Sequence, residues 1–119
     1  MKKLLIKRVY STPQKTDGYR ILVDRLWPRG IKKSEAKVDL WLKEIAPSNE
    51  LRKWFNHDPK KWSKFKIKYT RELLNKSEEL KIIKQKIKDS TVTLVYGAKD
   101  KEHNQAVALQ EFIENNKNI

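Results

Sequence analysis

Residues 19–24 read YRILVD and residues 91–96 read TVTLVY. Both runs are short, rich in β-branched and aromatic residues, and read as strands. The first is mostly apolar, which predicts burial on both faces. Residues 4–10 (LLIKRVY) form a third apolar run and read as another strand. The intervening 11–18 holds Pro13, Asp17 and Gly18 and reads as a turn-rich loop.

Helical signals fill the stretch between residues 24 and 91. Ser34 is placed to cap a helix with Glu35 in its first turn, and Trp41, Leu42 and Ile45 give that helix an apolar side until Pro47 stops it. Ser48 starts a second short helix with Leu51, Trp54 and Phe55 inward, and Asp58 followed by Pro59 marks the start of a third. Trp62, Phe65, Tyr69 and Leu73 fall on one face of that third helix. Helix continued to Asp89 would be roughly 45 Å long, more than a domain of this size accommodates. The spacing therefore predicts a break near residues 75–77, with Ser77 as the next cap and Leu80, Ile83 and Ile87 as the next buried stripe. Asp100 is placed to cap a last helix reaching about Asn115, with Ala106, Leu109, Phe112 and Ile113 inward. The expected fold is α/β: a single small domain over residues 1–119, with a short, partly parallel sheet of about three strands flanked by helices.

The 119-residue length fits one domain. The chain has no Cys, which excludes disulfides, thiolate metal sites and cysteine nucleophiles. No apolar run approaches the ~18 residues of a membrane span, and Lys7 and Arg8 interrupt the first apolar stretch too early for a signal peptide. A soluble, cytoplasmic protein is the expectation. The net charge is +13, built from 22 Lys and six Arg against 15 acidic residues. Such a charge attracts polyanions, but a lysine-coated surface also arises without any ligand. The Arg placement is more informative: all but Arg71 lie in the first half of the chain. Arg is the residue of choice where a rigid fork of donors is needed.

In open α/β sheets ligands bind beyond the carboxyl ends of strands. Here the second strand runs out into Asp24-Arg25-Leu26-Trp27-Pro28-Arg29-Gly30, and the third into Tyr96-Gly97-Ala98-Lys99-Asp100 followed by His103 and Asn104. If the strands are parallel, these segments meet and form a basic, aromatic crevice beside a helix start, which suits an anion. Arg25 either binds that anion or pairs with Asp24 or Asp58. Asp24 is either a general base or a structural partner. Trp27 either stacks on a planar ligand or packs in the core. His57 belongs to a turn or to the site, and His103, one turn into the last helix, is expected to be a neutral imidazole usable as a base. Two His and scattered Asp give no close ligand pair, so no metal site is expected. Phosphate-cradling Gly motifs, the GxSxG elbow and the zinc-finger and RNP signatures are all absent, and the residues name no cofactor.

Several blocks carry a resemblance: RVY (8–10), DGYRILVDRLWPRG (17–30), WLKEIAPS (41–48), LRKWFNHDP (51–59), WSKFKIKYTREL (62–73) and VTLVYGAKDKEHNQA (92–106). Together they span nearly the whole chain and resemble the bacterial family called domain of unknown function 488, the YeaO-like proteins. The resemblance implies a small cytoplasmic α/β domain and adds weight to Asp24, Arg25, Trp27, Arg29, His57, Asp58, Tyr96, Asp100, His103 and Asn104. It supplies no substrate. Gly97 stands where the family pattern has Ala, which is expected to loosen that strand end.

The first functional expectation is an enzyme or ligand-binding domain for a small anion, such as a nucleotide or phosphorylated metabolite. Arg25 and Arg29 would hold the anion, Trp27 or Tyr96 would stack, and Asp24 and His103 would act as acid and base. The alternative is a nucleic-acid-binding module that uses residues 60–88, where 11 Lys and Arg face three Glu.

Overall fold

A computed structural model of the chain describes residues 3–116. Among these, four strands form one sheet: β1 (Leu4–Arg8), β2 (Tyr19–Leu22), β3 (Leu40–Trp41) and β4 (Val92–Tyr96). All pairings are parallel and the order is β1-β4-β2-β3. The last strand in sequence thus lies inside the sheet, opposite Leu4–Arg8 on one side and Tyr19–Leu22 on the other. The α/β expectation holds, with one strand more than the three read from the apolar runs and with no antiparallel pair.

Five α-helices accompany the sheet: α1 (Lys33–Ala36), α2 (Asn49–Phe55), α3 (Trp62–Leu73), α4 (Ser77–Asp89) and α5 (Gln105–Asn115). Strand alternation divides the core between the two faces of the sheet. Ile21, Val23, Val92, Leu94 and Tyr96 join the larger apolar cluster with Phe55 of α2, Phe65 and Tyr69 of α3, Ile83 of α4 and Leu109 and Phe112 of α5. Leu22 and Val95 point the other way, to Val9 and Ala36, with half-buried Trp27, Ile31, Val38 and Trp41 against them. Connections that step from β1 to β2 to β3 therefore lie on one face, and the return through α2, α3 and α4 lies on the other. Uniformly right-handed crossovers require this arrangement.

The expected helix from Ser34 to Pro47 is replaced by α1, β3 and a single 3-10 turn at Lys43–Ile45. The spacing of Trp41, Leu42 and Ile45 mimics a helix face, but Trp41 pairs with Leu22 and its indole Nε1 donates to Asp24 O at 2.7 Å. The α1 turn is capped by Glu35, which accepts the Lys32 N–H, rather than by Ser34. The Ser48 and Asp58 caps form as expected, accepting from Leu51 N and Lys60 N, and the break falls between α3 and α4. Ser77 is the first residue of α4 rather than its cap. At the sheet's start Gly18 is obligatory: its φ is +66°, and a Cβ there would come within 2.1 Å of Thr91 O.

Behind the second face lies a saturated ion network. Arg20, 3 % exposed, donates to Asp17 at 2.6 Å and to the carbonyls of Ala36 and Lys37, and Lys7 adds a second cation to Asp17 at 3.0 Å. Burial alone would raise the Asp17 carboxyl. The Gln14 N–H and the two cations outweigh it and hold the group below the usual carboxylate range.

Candidate functional site

The chain leaves β2 toward one face of the sheet and leaves β4 toward the other. Adjacent strands whose exits diverge in this way open a crevice at their carboxyl ends. A cleft of about 380 Å³ lies there. Asp24, Arg25 and Leu26 enter it from β2, and Ala98, His103, Asn104 and Gln105 from β4 and the start of α5. The C-terminal end of α2 closes a side with Arg52, Lys53, Phe55, Asn56 and His57, and Phe65 of α3 adds apolar wall.

Asp24 joins the two strand ends. Its Oδ2 accepts the Gly97 N–H at 2.9 Å and its Oδ1 accepts from Gln105 Nε2. Burial nonetheless pushes the carboxyl up to about 6, because those two donors and the Arg52 charge only partly offset desolvation. The Gly97 N–H is tied to this carboxylate, and a Cβ at Gly97 would lie 2.9 Å from Asp24 Oδ2.

Arg25 pairs with neither Asp24 nor Asp58. Its guanidinium donates to Ala46 O at 3.1 Å and to Pro47 O at 3.3 Å. The same loop is gripped from α3 and α4: Glu72 accepts from Ser48 N and Oγ, Tyr69 donates to Ile45 O, and Lys76 donates to Glu44 O and Ala46 O. Burial, with Arg25 beside it, lowers the Lys76 ammonium below the usual lysine range. The loop is a wall of the cleft, and Arg25 holds it through Nε and Nη2.

His103 precedes the last helix instead of sitting inside it. Asn104 is the true cap of α5, accepting the Val107 N–H, while Asp100 caps its own turn by accepting from Glu102 N and His103 N. Those hydrogen bonds, the Glu102 N–H first, hold the Asp100 carboxyl below its ordinary range. Asp100 Oδ2 also meets His103 Nδ1 at 2.9 Å, and the Trp62 ring packs edge-on at 5.4 Å. A carboxylate beside Nδ1 favours a proton on that nitrogen and orients the ring, as in other carboxylate–histidine pairs.

Of the residues singled out from the sequence, Asp24, Arg25, His57, His103 and Asn104 come together in the cleft. The others lie outside its lining. Trp27 donates to Ile31 O and packs edge-on against Trp41 beneath the second face. Arg29 is exposed, and its carbonyl accepts from Tyr10. Asp58 caps the turn before α3, Tyr96 is buried in the larger core, and Asp100 reaches the cleft only through His103. Arg52, Lys53, Asn56 and Gln105 are additional lining residues. The signal for them was in the LRKWFNHDP and HNQ blocks, which carry polar side chains beside the two histidines. Asn56 and His57 both adopt left-handed backbone, φ 46° and 55°, a conformation that costs non-glycine residues of order 1 kcal/mol each.

Among the described residues, no three His, Cys, Asp or Glu side chains are grouped to hold a metal ion, and no helix is long and apolar enough to cross a membrane. The chain is 45% identical over 107 residues to the uncharacterized protein YeaO of Escherichia coli strain K12, covering 90% of this chain and 93% of that protein. It is 35% identical over 111 residues, 93% of both chains, to the uncharacterized protein Rv3073c of Mycobacterium tuberculosis strain H37Rv, and equally to Mb3100c of Mycobacterium bovis. No solved structure matches it. Residues 3–118 match the family DUF488-N3i, described as the inactive DUF488-N3 subclade, and the chain belongs to that family.

Proposed function

We propose that the chain binds a small anionic ligand, nucleotide- or phosphate-like, in the cleft between the ends of β2 and β4. The observation that carries this reading is the charge of the lining: Arg25, Arg52 and Lys53 with two imidazoles, against the single carboxyl of Asp24. Arg52 and Lys53 are exposed on α2, Arg52 with one exposed hydrogen bond from Nη1 to Asn49 Oδ1, whereas Arg25 acts mainly by fixing the wall. Binding rather than turnover is the favoured role. The family is described as inactive, and among the described residues the cleft lining includes no hydroxyl or thiol. Asp24 and His103 are the groups that would hold or move a proton there.

The test is a thermal-shift screen with inorganic phosphate, pyrophosphate, nucleotides and sugar phosphates. A ligand at a hundredfold its Kd stabilises the folded form by about 2.7 kcal/mol. The expected result is a shift with at least one of these anions that Arg52→Ala combined with Lys53→Ala abolishes. No shift with any of them rejects the reading.

A second reading, nucleic-acid binding, has its own observation: exposed Lys64, Lys68, Arg71, Lys81 and Lys88 lie along α3 and α4. Lys61 and Lys68 sit over the Trp54 ring and Lys66 over Trp62, so lysines of the chain itself cover these indoles, which would otherwise serve for base stacking. Contact would therefore be electrostatic, with affinity falling by a slope of about −0.9 per duplex phosphate as salt rises. A flat salt response in oligonucleotide retardation removes this reading.

A further inference from the structure

Resting on the anion-binding reading above, we infer that the ligand is a phosphorylated sugar whose hydroxyl groups donate to Asp24 while its phosphate meets Arg52 and Lys53. Asp24 keeps unspent hydrogen-bonding capacity. A carboxylate offers about four lone-pair sites. Asp24 uses two, for Gly97 N–H and Gln105 Nε2, and still lines the cleft.

Gln105 sharpens the point. A carboxylate can only accept, so the Gln105 amide must present its nitrogen to Asp24, and its Oε1 is left as a second acceptor with no donor among the described residues. Asn56, exposed at the end of α2, makes no side-chain hydrogen bond among the described residues and supplies an amide that both donates and accepts. Two acceptors and one mixed group match vicinal hydroxyls, which donate and accept in turn. Inorganic phosphate keeps a P–OH at neutral and mildly acidic pH but has no vicinal hydroxyls to share between Asp24 and its neighbours, and its full charge is repelled by the carboxylate. Phosphate binding belongs instead to Arg52 and Lys53, with the imidazoles of His57 and His103 in the same cleft. A planar base is not required: Trp27 and Tyr96 lie outside the lining, and the Phe55 and Phe65 rings that do line the cleft are buried in the core.

The charged and titratable groups lining the cleft around Asp24 are Arg25 from its own loop, Arg52, Lys53 and His57 from α2, and His103 from the approach to α5. Protonating Asp24 removes both its repulsion of free phosphate and an acceptor for hydroxyl donors. Acidification should therefore move the two ligand types in opposite directions relative to one another.

The experiment is calorimetric titration of the native protein with ribose 5-phosphate, a nucleoside 5′-monophosphate and inorganic phosphate at pH 7.5 and pH 5. Asp24→Asn is measured at pH 7.5 as a near-isosteric control. At pH 7.5 both sugar phosphates should bind at least about tenfold more tightly than inorganic phosphate, the effect of one hydrogen bond to a charged group. That ratio should shrink several-fold at pH 5 in the native protein, a comparison that does not depend on the variant folding, and likewise in Asp24→Asn. If the nucleotide and ribose 5-phosphate bind alike, the sugar phosphate is the recognised unit; tighter nucleotide binding adds a contact to the base and leaves the inference standing. Inorganic phosphate binding as tightly as the sugar phosphates overturns the inference while leaving the anion-binding reading intact. No binding of any of the three overturns both.

Discussion

The sheet carries two aspartates that sit near an arginine in sequence, and the fold treats them oppositely. Asp17 and Arg20 pair at 2.6 Å on the second face, with Lys7 completing the charge balance. Asp24 and Arg25, adjacent in sequence, do not pair at all: one accepts N–H groups from across the sheet, and the other donates to loop carbonyls. The first site is satisfied by the chain alone, and its carboxyl is held low. The second leaves acceptor capacity facing a cleft, and its carboxyl is pushed up to about 6. A shared residue type therefore says little about role. Whether the chain supplies the counter-charge distinguishes a structural pair from a site.

The largest expected effect lies in the saturated pair. Asp17→Asn leaves the Arg20 guanidinium buried without a counter-charge and should cost about 3–5 kcal/mol in urea titrations. A loss below about 1 kcal/mol would mean that the Ala36 and Lys37 carbonyls suffice, and the contrast would weaken.

Next is the pH signature. Because Asp17 is held low, its contribution is present above the unfolded value of 3.8 and is lost as pH falls through the lower folded value. Asp24 has the opposite sign: the folded state prefers the protonated carboxyl, so stability declines as pH rises from about 4 to about 6 and is flat above. Asp24→Asn should remove a pH-dependent loss of about 2 kcal/mol across that window, after allowance for partial exposure. Parallel stability curves for native protein and variant between pH 4 and 7 would contradict the raised carboxyl.

Arg25→Ala should cost about 1–2 kcal/mol and speed amide hydrogen exchange at Ala46 and Ser48, where Lys76 and Glu72 still hold the loop. Unchanged exchange there would show that Arg25 is idle in the wall. The smallest effect is expected from Gly97→Ala, about 1 kcal/mol, since the added Cβ displaces Asp24 Oδ2 by a fraction of an ångström. Its sharper readout is the Asp24 titration followed by carboxyl NMR, which should move; an unmoved titration would show that the clasp adjusts freely.

YRILVD was legible as a mostly apolar run and TVTLVY by its β-branched and aromatic residues, and the stripes of α3 and α4 because each recurs at helical spacing. The strand at Leu40–Trp41 was not, for two residues carry no period, and the neighbouring Leu42 and Ile45 complete a false helical face. The position of His103 depended on a contest between Asp100 and Asn104, both able to cap; the structure uses both, four residues apart. The meeting of Asp24 with Gln105 followed from parallel strands and could be anticipated as a region. Trp27 and Arg29 could not be sorted from Asp24 and Arg25 without knowing where the loop turns beneath the sheet.

The strand order also bears on how the chain is made. β1 has no partner until residues 92–96 arrive, and β2 meets only the two residues of β3 before then. A nascent chain emerging from the ribosome can gather its middle helices but cannot close its sheet until four-fifths of it has been synthesised. Non-local closure of this kind slows folding and leaves strand edges open meanwhile. Translation pauses or truncations ahead of residue 92 should therefore yield protease-sensitive, aggregation-prone fragments, not a smaller stable domain.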